Sequence, residues 1–264
     1  RLNALEISKK EEFDQMINGV LPSQWQDSLN NFKKDCSFKK PKWATRKSSG
    51  EVLNILTKEI PQLIGGSADL TGSVNTKTPS TQSISKENYR GRYVHYGVRE
   101  HAMSAIMNGL ALSSGFIPYG GTFLVFADYM RGGMRLSALM KQRVIYVLTH
   151  DSIGLGEDGP THQAVETLAT LRATPNFNLF RPCDPIETAE CWALAIQNKT
   201  GPSGIVLTRQ GVPTVRIKHT DQNLCGYGAY VLEEAHGGKP VVSILATGSE
   251  IQLALNAKEK LEID

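Results

Sequence analysis

Side chains able to do acid–base or ligand-binding chemistry crowd into four short stretches. The first holds Ser67, Asp69 and Ser73, and the second is Arg99-Glu100-His101. The third runs from His150-Asp151 through Glu157-Asp158-Gly159-Pro160-Thr161-His162, and the fourth ends in Arg209-Gln210. Two His and three carboxylates in the third stretch, beside glycines that let a backbone approach a ligand, fit a protic loop that hydrogen-bonds a polyhydroxylated substrate. The same side chains permit a metal site built from His150, Asp151, Asp158 and His162, but no fixed ligand spacing such as HxxxH on a helix supports it.

The third stretch also spells G-x-G-x-x-G at Gly154, Gly156 and Gly159. In a dinucleotide-binding fold that motif follows a strand directly and opens a helix whose N-terminus meets a pyrophosphate. Here residues 150–153 intervene, Pro160 interrupts the run, and Glu157 and Asp158 would set negative charge beside the phosphates. The nucleotide reading is therefore rejected. Glu100, by itself, is explained by a favourable carboxylate at a helix N-terminus. The stripe Phe123, Phe126, Tyr129 has helical spacing and reads either as a core face or as an aromatic pocket for a flat heterocycle.

These stretches sit between alternating strand and helix patterns. Strands are expected at 92–98, 117–119, 144–148, 178–180 and 205–207, and helices at 100–113, 124–139, 163–172 and 186–197. The unbroken run Val144-Ile145-Tyr146-Val147 lacks polar alternation, so both faces of the sheet should carry helices. The class is α/β with a mostly parallel sheet, and ligands in such folds gather at the carboxyl ends of strands. Residues 1–43 are polar, lysine-rich and broken at Pro22, with one or two helices and little core of their own. They read as a linker or tail, 44–216 as one whole domain, and 217–264 as the start of another, with a strand in 231–246 and a helix at 250–261.

At 264 residues with 40% apolar and 21% charged side chains, the chain has enough material for a real core. A net charge of +3 is too small to imply attraction to nucleic acid or membrane by field alone. No apolar run approaches the ~18 residues of a membrane span, and the first residues hold no signal-peptide core. Cys36, Cys183, Cys191 and Cys225 form no CxxC pair, which suits a reducing cytosol. The first residue is not Met, which points to processing or to a piece of a longer polypeptide.

Three of these segments stop being independent when read together. The runs Gly97-Val98-Arg99-Glu100-His101-Ala102-Met103, Pro118-Tyr119-Gly120-Gly121-Thr122-Phe123 and Thr149-His150-Asp151-Ser152-Ile153-Gly154-Leu155-Gly156-Glu157-Asp158-Gly159-Pro160-Thr161-His162-Gln163 resemble the transketolase family in order and detail. The resemblance covers nearly the whole chain. It implies a linker, the pyrimidine-binding domain of a thiamine-diphosphate fold and the start of the C-terminal domain. Deoxyxylulose-phosphate synthases and the β chains of ketoacid dehydrogenases share the domain type. His-Asp-Ser-Ile and Arg-Glu-His favour transketolase.

The resemblance implies roles that the residues' chemistry can perform. Glu100 would hydrogen-bond the pyrimidine ring nitrogen of thiamine diphosphate, with Phe123, Phe126 and Tyr129 as the aromatic wall and Asp69 lining the cofactor region. His150, Asp158 and His162 would bind sugar hydroxyls and assist proton transfer, the two histidines as catalytic groups with Glu100. Arg46, Ser73 and Arg209, with His150, would clamp a sugar phosphate. The implied reaction moves a two-carbon ketol unit from a ketose phosphate to an aldose phosphate, in a cytoplasmic homodimer with sites at the subunit interface. The family's Gly-Asp-Gly diphosphate and Mg²⁺ (or Ca²⁺) motif is missing, so no metal ligand is expected here. Alternatives are a deoxyxylulose-phosphate synthase-like enzyme or a fragment that binds partners without turnover.

Overall fold

The computed structural model describes residues 6–263, so the first five residues of the expected tail lie outside the described residues. In chain order the elements are α1 (Ile7–Ile17), α2 (Trp25–Lys39), α3 (Thr45–Glu59), β1 (Leu63–Ser67), α4 (Thr71–Val74), β2 (Tyr93–His95), α5 (Glu100–Leu112) and β3 (Ile117–Phe123). They continue with α6 (Ala127–Leu139), β4 (Ile145–Thr149), α7 (Thr167–Arg172), β5 (Asn178–Phe180), α8 (Pro185–Gln197), β6 (Ser203–Leu207) and α9 (Ile251–Leu261). The six strands form one parallel sheet in the order β2-β1-β3-β4-β6-β5.

Helices cover both faces, as the apolar run at β4 demands. Ile145 and Val147 point into a core shared with Leu53 and Leu56 of α3 and Trp192 of α8. Tyr146 and Leu148, on the alternate positions, meet Met103 and Met107 of α5 and Met130 and Met134 of α6. Asp184 starts α8 by accepting hydrogen bonds from the Ile186 and Glu187 amides, each at 2.9 Å, ahead of Pro185 in the first turn. Trp192 Nε1 donates to Ser49 Oγ at 2.9 Å and locks α8 to α3. An antiparallel bridge between Trp43 and Val212 fastens the entry to α3 against the chain beyond β6.

Three expectations are corrected. The stretch before residue 44 brings more than a tail to the core, because α2 buries Trp25, Leu29 and Cys36 against α3 and α8. Lys33 is buried with them, and its charge is accommodated inside by Glu190 Oε1 at 3.0 Å. Residues 231–246 form no strand. A strand needs neighbours to satisfy its backbone, and Val241 and Leu245 are almost wholly exposed with no pairing partner among the described residues. The helix expected at 163–172 forms only as Thr167–Arg172, since Gly159 and Pro160 set up a 3₁₀ turn that leaves Gln163 extended.

The β1–β3 seam is where side-chain volume is most constrained. A Cβ on Gly65 would run into the Tyr119 ring, which is fully buried and donates from its hydroxyl to the Thr76 carbonyl at 3.0 Å. We expect Gly65→Ala to destabilise the chain by about 1–3 kcal/mol through overpacking. Gly109→Ala, at an exposed position of α5 where a Cβ meets nothing, should instead gain roughly 0.5–1 kcal/mol from helix propensity. Urea denaturation midpoints of the two variants, shifting in opposite directions, check this.

Candidate active site

The parallel sheet brings the four reactive stretches to one edge, because each follows the carboxyl end of a strand or opens the next helix. In register, Ser67 of β1 pairs with Gly121 of β3, Phe123 of β3 with Thr149 of β4, and Thr149 with Leu207 of β6. Asp69, Phe123, His150 and Arg209 therefore come from neighbouring strand ends. The carboxyl end of β3 is the joint. Thr122 Oγ1 donates to Glu100 Oε1 at 3.3 Å, and the next residue, Phe123, stacks on His150 with ring centroids 3.7 Å apart.

Glu100 is buried in the first turn of α5. The aromatic stripe is not a single helix face. Phe123 ends β3, Phe126 lies in a 3₁₀ turn, and Tyr129 belongs to α6. Three residues per 3₁₀ turn eclipse side chains three apart, and Phe123 and Phe126 stack at 5.6 Å with planes 11° apart. Phe126 is half-buried and Tyr129 exposed, so the stripe offers a flat face outward rather than filling a core. His162 meets Phe123 and Phe126 edge-on, at 5.9 and 5.3 Å.

His150 is a non-glycine residue in the left-handed region at φ 61°, with its ring buried. Thr149 Oγ1 and His150 Nδ1 share a 2.8 Å hydrogen bond. Burial first, then the charge of Arg46, with Arg209 and His162 adding and Asp158 opposing, pushes the imidazole down to about 4. The ring is therefore neutral at pH 7 and able to accept or donate one proton.

Arg46 reaches this place because α3 docks its N-terminus on the end of β6. Thr45 Oγ1 accepts from the Thr208 amide at 2.8 Å, and the Arg46 amide donates to the Thr208 carbonyl at 3.3 Å. The Arg46 guanidinium donates to the Ser73 carbonyl at 2.8 Å. Burial, then the neighbouring Arg209, lowers its proton affinity. Arg209 also approaches the exposed Glu157 at 3.7 Å. Asp158 is exposed, and its charge reaches Arg46 and His150. Asp69 is exposed at φ 63° just beyond β1, and Ser73 is half-buried in α4.

Asp151 departs from the cluster. Its carboxylate turns inward to Arg181, with Oδ2 taking Nε at 2.9 Å and Nη2 at 2.8 Å. Among the described residues no three His, Cys, Asp or Glu are grouped to hold a metal ion. The glycine-rich motif lies in a loop with two 3₁₀ turns and opens no helix at its glycines. Thr122, Thr149 and Arg181 were not singled out in sequence. Only the position of Arg181, directly after the strand at 178–180, could have drawn attention to it.

Residues 41–214 match the family model described as the transketolase pyrimidine-binding domain, and residues 228–264 match the transketolase-like C-terminal domain. A transketolase of Sinorhizobium medicae is 54% identical over 264 residues, all of this chain and 38% of that protein. The solved transketolase of Leishmania mexicana superposes with a TM-score of 0.87 at 42% identity, covering 97% of this chain and 37% of that one. A Pichia stipitis transketolase solved with sedoheptulose 7-phosphate gives 0.85 at 41% identity, again over 97% and 37%. The chain thus spans under two fifths of the length of these relatives. No described helix is long and apolar enough to cross a membrane.

The neutral His150 makes stability depend on pH. An unfolded histidine titrates near 6.5, whereas His150 in the fold titrates at about 4. Between those values the unfolded chain binds a proton that the folded chain refuses. This contribution is therefore full above about pH 6.5 and is lost as pH falls toward about 4. Denaturant midpoints measured between those limits should fall more steeply for the parent than for His150→Gln; equal slopes would remove the assignment.

Proposed function

The chain belongs to the transketolase family, and on that premise we propose that it supplies the pyrimidine-binding half of a ketol-transfer site. The reaction is the reversible transfer of a two-carbon ketol unit from a ketose phosphate, of the xylulose 5-phosphate or sedoheptulose 7-phosphate type, to an aldose phosphate. The observation that carries this reading is the joint at the end of β3, where Thr122 holds the buried Glu100 and Phe123 carries His150. One strand end thus serves a cofactor half and a sugar half.

The residues fit the pyrimidine of thiamine diphosphate. Glu100 is a buried carboxylate with a single long hydrogen bond to its Oε1, leaving acceptor capacity for a ring nitrogen. Phe126, stacked outside Phe123, offers the flat face. When bound, the cofactor supplies a nucleophilic carbon and an electron sink. Glu100 holds a proton at the pyrimidine ring nitrogen, while Phe123, Phe126 and Tyr129 wall the ring and Asp69 borders it. His150 and His162 take hydrogen bonds from sugar hydroxyls and move protons there, and Asp158 selects the configuration of one hydroxyl. Arg46 and Arg209, with Ser73 and His150, hold the phosphate.

In this reading Mg²⁺ or Ca²⁺ falls to a diphosphate-binding domain. The working enzyme in this reading is a cytoplasmic homodimer with shared sites. In a polypeptide that also carries the diphosphate-binding domain, Glu100→Gln should lower turnover by roughly 10²–10⁴-fold. Near-normal turnover would overturn the reading, and efficient use of pyruvate as donor would favour the synthase relative instead. Arg209→Leu should raise KM for a phosphorylated ketose roughly 10–100-fold, as expected for losing a charge-assisted hydrogen bond. KM for an unphosphorylated ketose should stay the same, and steady-state kinetics with both sugars decide it.

A further inference from the structure

We propose that Arg181 is a positioning residue that fixes the left-handed turn at His150, acting through the buried Asp151, and thereby aims the loop carrying Asp158 and His162. The inference rests on the sugar-binding reading of that loop. A strained non-glycine turn persists only where its surroundings over-determine it. His150 is the one site residue of the loop with positive φ, and each of the three residues that start the loop is gripped by a different element. The His150 ring lies on Phe123. The Asp151 carboxylate, with only 1% of its side chain exposed, receives two donors from Arg181. The Ser152 hydroxyl accepts from Gln210 Nε2 at 3.3 Å and from the Gly154 amide at 3.2 Å.

Beyond Ser152 the grip is sparser, with Leu155 the one buried residue among 153–158. Ile153, Gly156, Glu157 and Asp158 are exposed, and the approach of Arg209 to Glu157 is long. The placing of Asp158 therefore depends on how residues 150–152 leave β4 and on the buried Leu155, while His162 also rests on Phe123 and Phe126. Of the three anchors, the one at Asp151 is the strongest, since it pairs opposite charges out of water. Arg181 is itself held rigid. Its Nη1 donates to the Thr247 carbonyl at 3.0 Å and pairs with Glu250, and its carbonyl accepts from the Gly248 amide at 3.1 Å. The backbone passes so close that a Cβ on Gly248 would lie 2.8 Å from Arg181 Nε. Arg181 thus ties the site loop to the turn that precedes α9.

The test reads His150 directly. In chain labelled at histidine, the His150 ring protons should be shifted upfield by the Phe123 ring current, given centroids 3.7 Å apart. Arg181→Met combined with Asp151→Asn removes the pair without leaving a buried charge unpaired, and should move those signals toward the free-histidine position. Arg181→Lys, which keeps the charge and gives fewer hydrogen bonds, should fall between and serves if the double variant does not fold. An unchanged His150 shift in either folded variant overturns the assignment. In the complete enzyme the double variant should lose roughly tenfold or more in kcat/KM for the ketose phosphate, as misplaced groups do, while calorimetric affinity for thiamine diphosphate holds. A parallel fall in both would show a merely structural role. Absence of ketol transfer by the parent would instead count against the function above, with the His150 result standing separately.

Discussion

Parallel register across β1, β3, β4 and β6 is the constraint on which everything else depends. Glu100, Phe123, His150 and Arg209 sit within a few positions of strand ends, so a one-residue slip of β3 would exchange Thr122 for Phe123 and separate Glu100 from His150. The register is held by shape as much as by hydrogen bonds. The glycines of β1 and β3 leave room for Tyr119 and for Met107, whose sulfur would lie 2.6 Å from a Cβ on Gly120. A seam this tight permits one alignment, because large rings and thioethers occupy the space where other residues would carry side chains.

Charge is handled in two opposite ways. Away from the site, Glu190 is buried among Lys33 at 3.0 Å and Arg216 at 2.6 Å, and its Oε2 accepts from the Leu224 and Cys225 amides. Burial works to raise its carboxyl, but Arg216 and Lys33 outweigh it and hold it below the ordinary range. That cluster is closed and joins α2, α8 and the chain after β6. At the strand ends the balance is left open. Arg46 lies in the field of Arg209, and the imidazole beside them stays neutral.

Much of this was legible in sequence, for specific reasons. The sheet declared itself through the unbroken apolar run at β4, and Glu100 and His150 through polar groups placed where strands end. The arginine partnership at residue 46 was not legible without the family resemblance, since it depends on α3 docking across more than 160 residues of chain to Thr208. The apolar spacing of Trp25 and Leu29 was visible, but the burial of Lys33 beside them was not, because a lysine counts as solvent-facing until its partner is known. Residues 231–246 have the composition of a strand, but pairing is a property of neighbours rather than of the segment. The three-residue aromatic spacing was visible, while its division among a strand, a 3₁₀ turn and a helix was not.

The three tryptophans give the molecule separate optical channels. Trp192 is wholly buried with its indole N–H on Ser49 and Tyr119 edge-on at 5.9 Å, and Trp25 is nearly as deep. Their emission reports the α3–α8 core in an apolar, water-free setting. Trp43 is half-buried at the bridge to Val212, with Lys47 Nζ 4.9 Å from its ring centre and Arg46 three residues on. Light from that residue follows the polarity and charge around Arg46 and Lys47. Melting of the core and filling of the site are thus written into different parts of one emission spectrum.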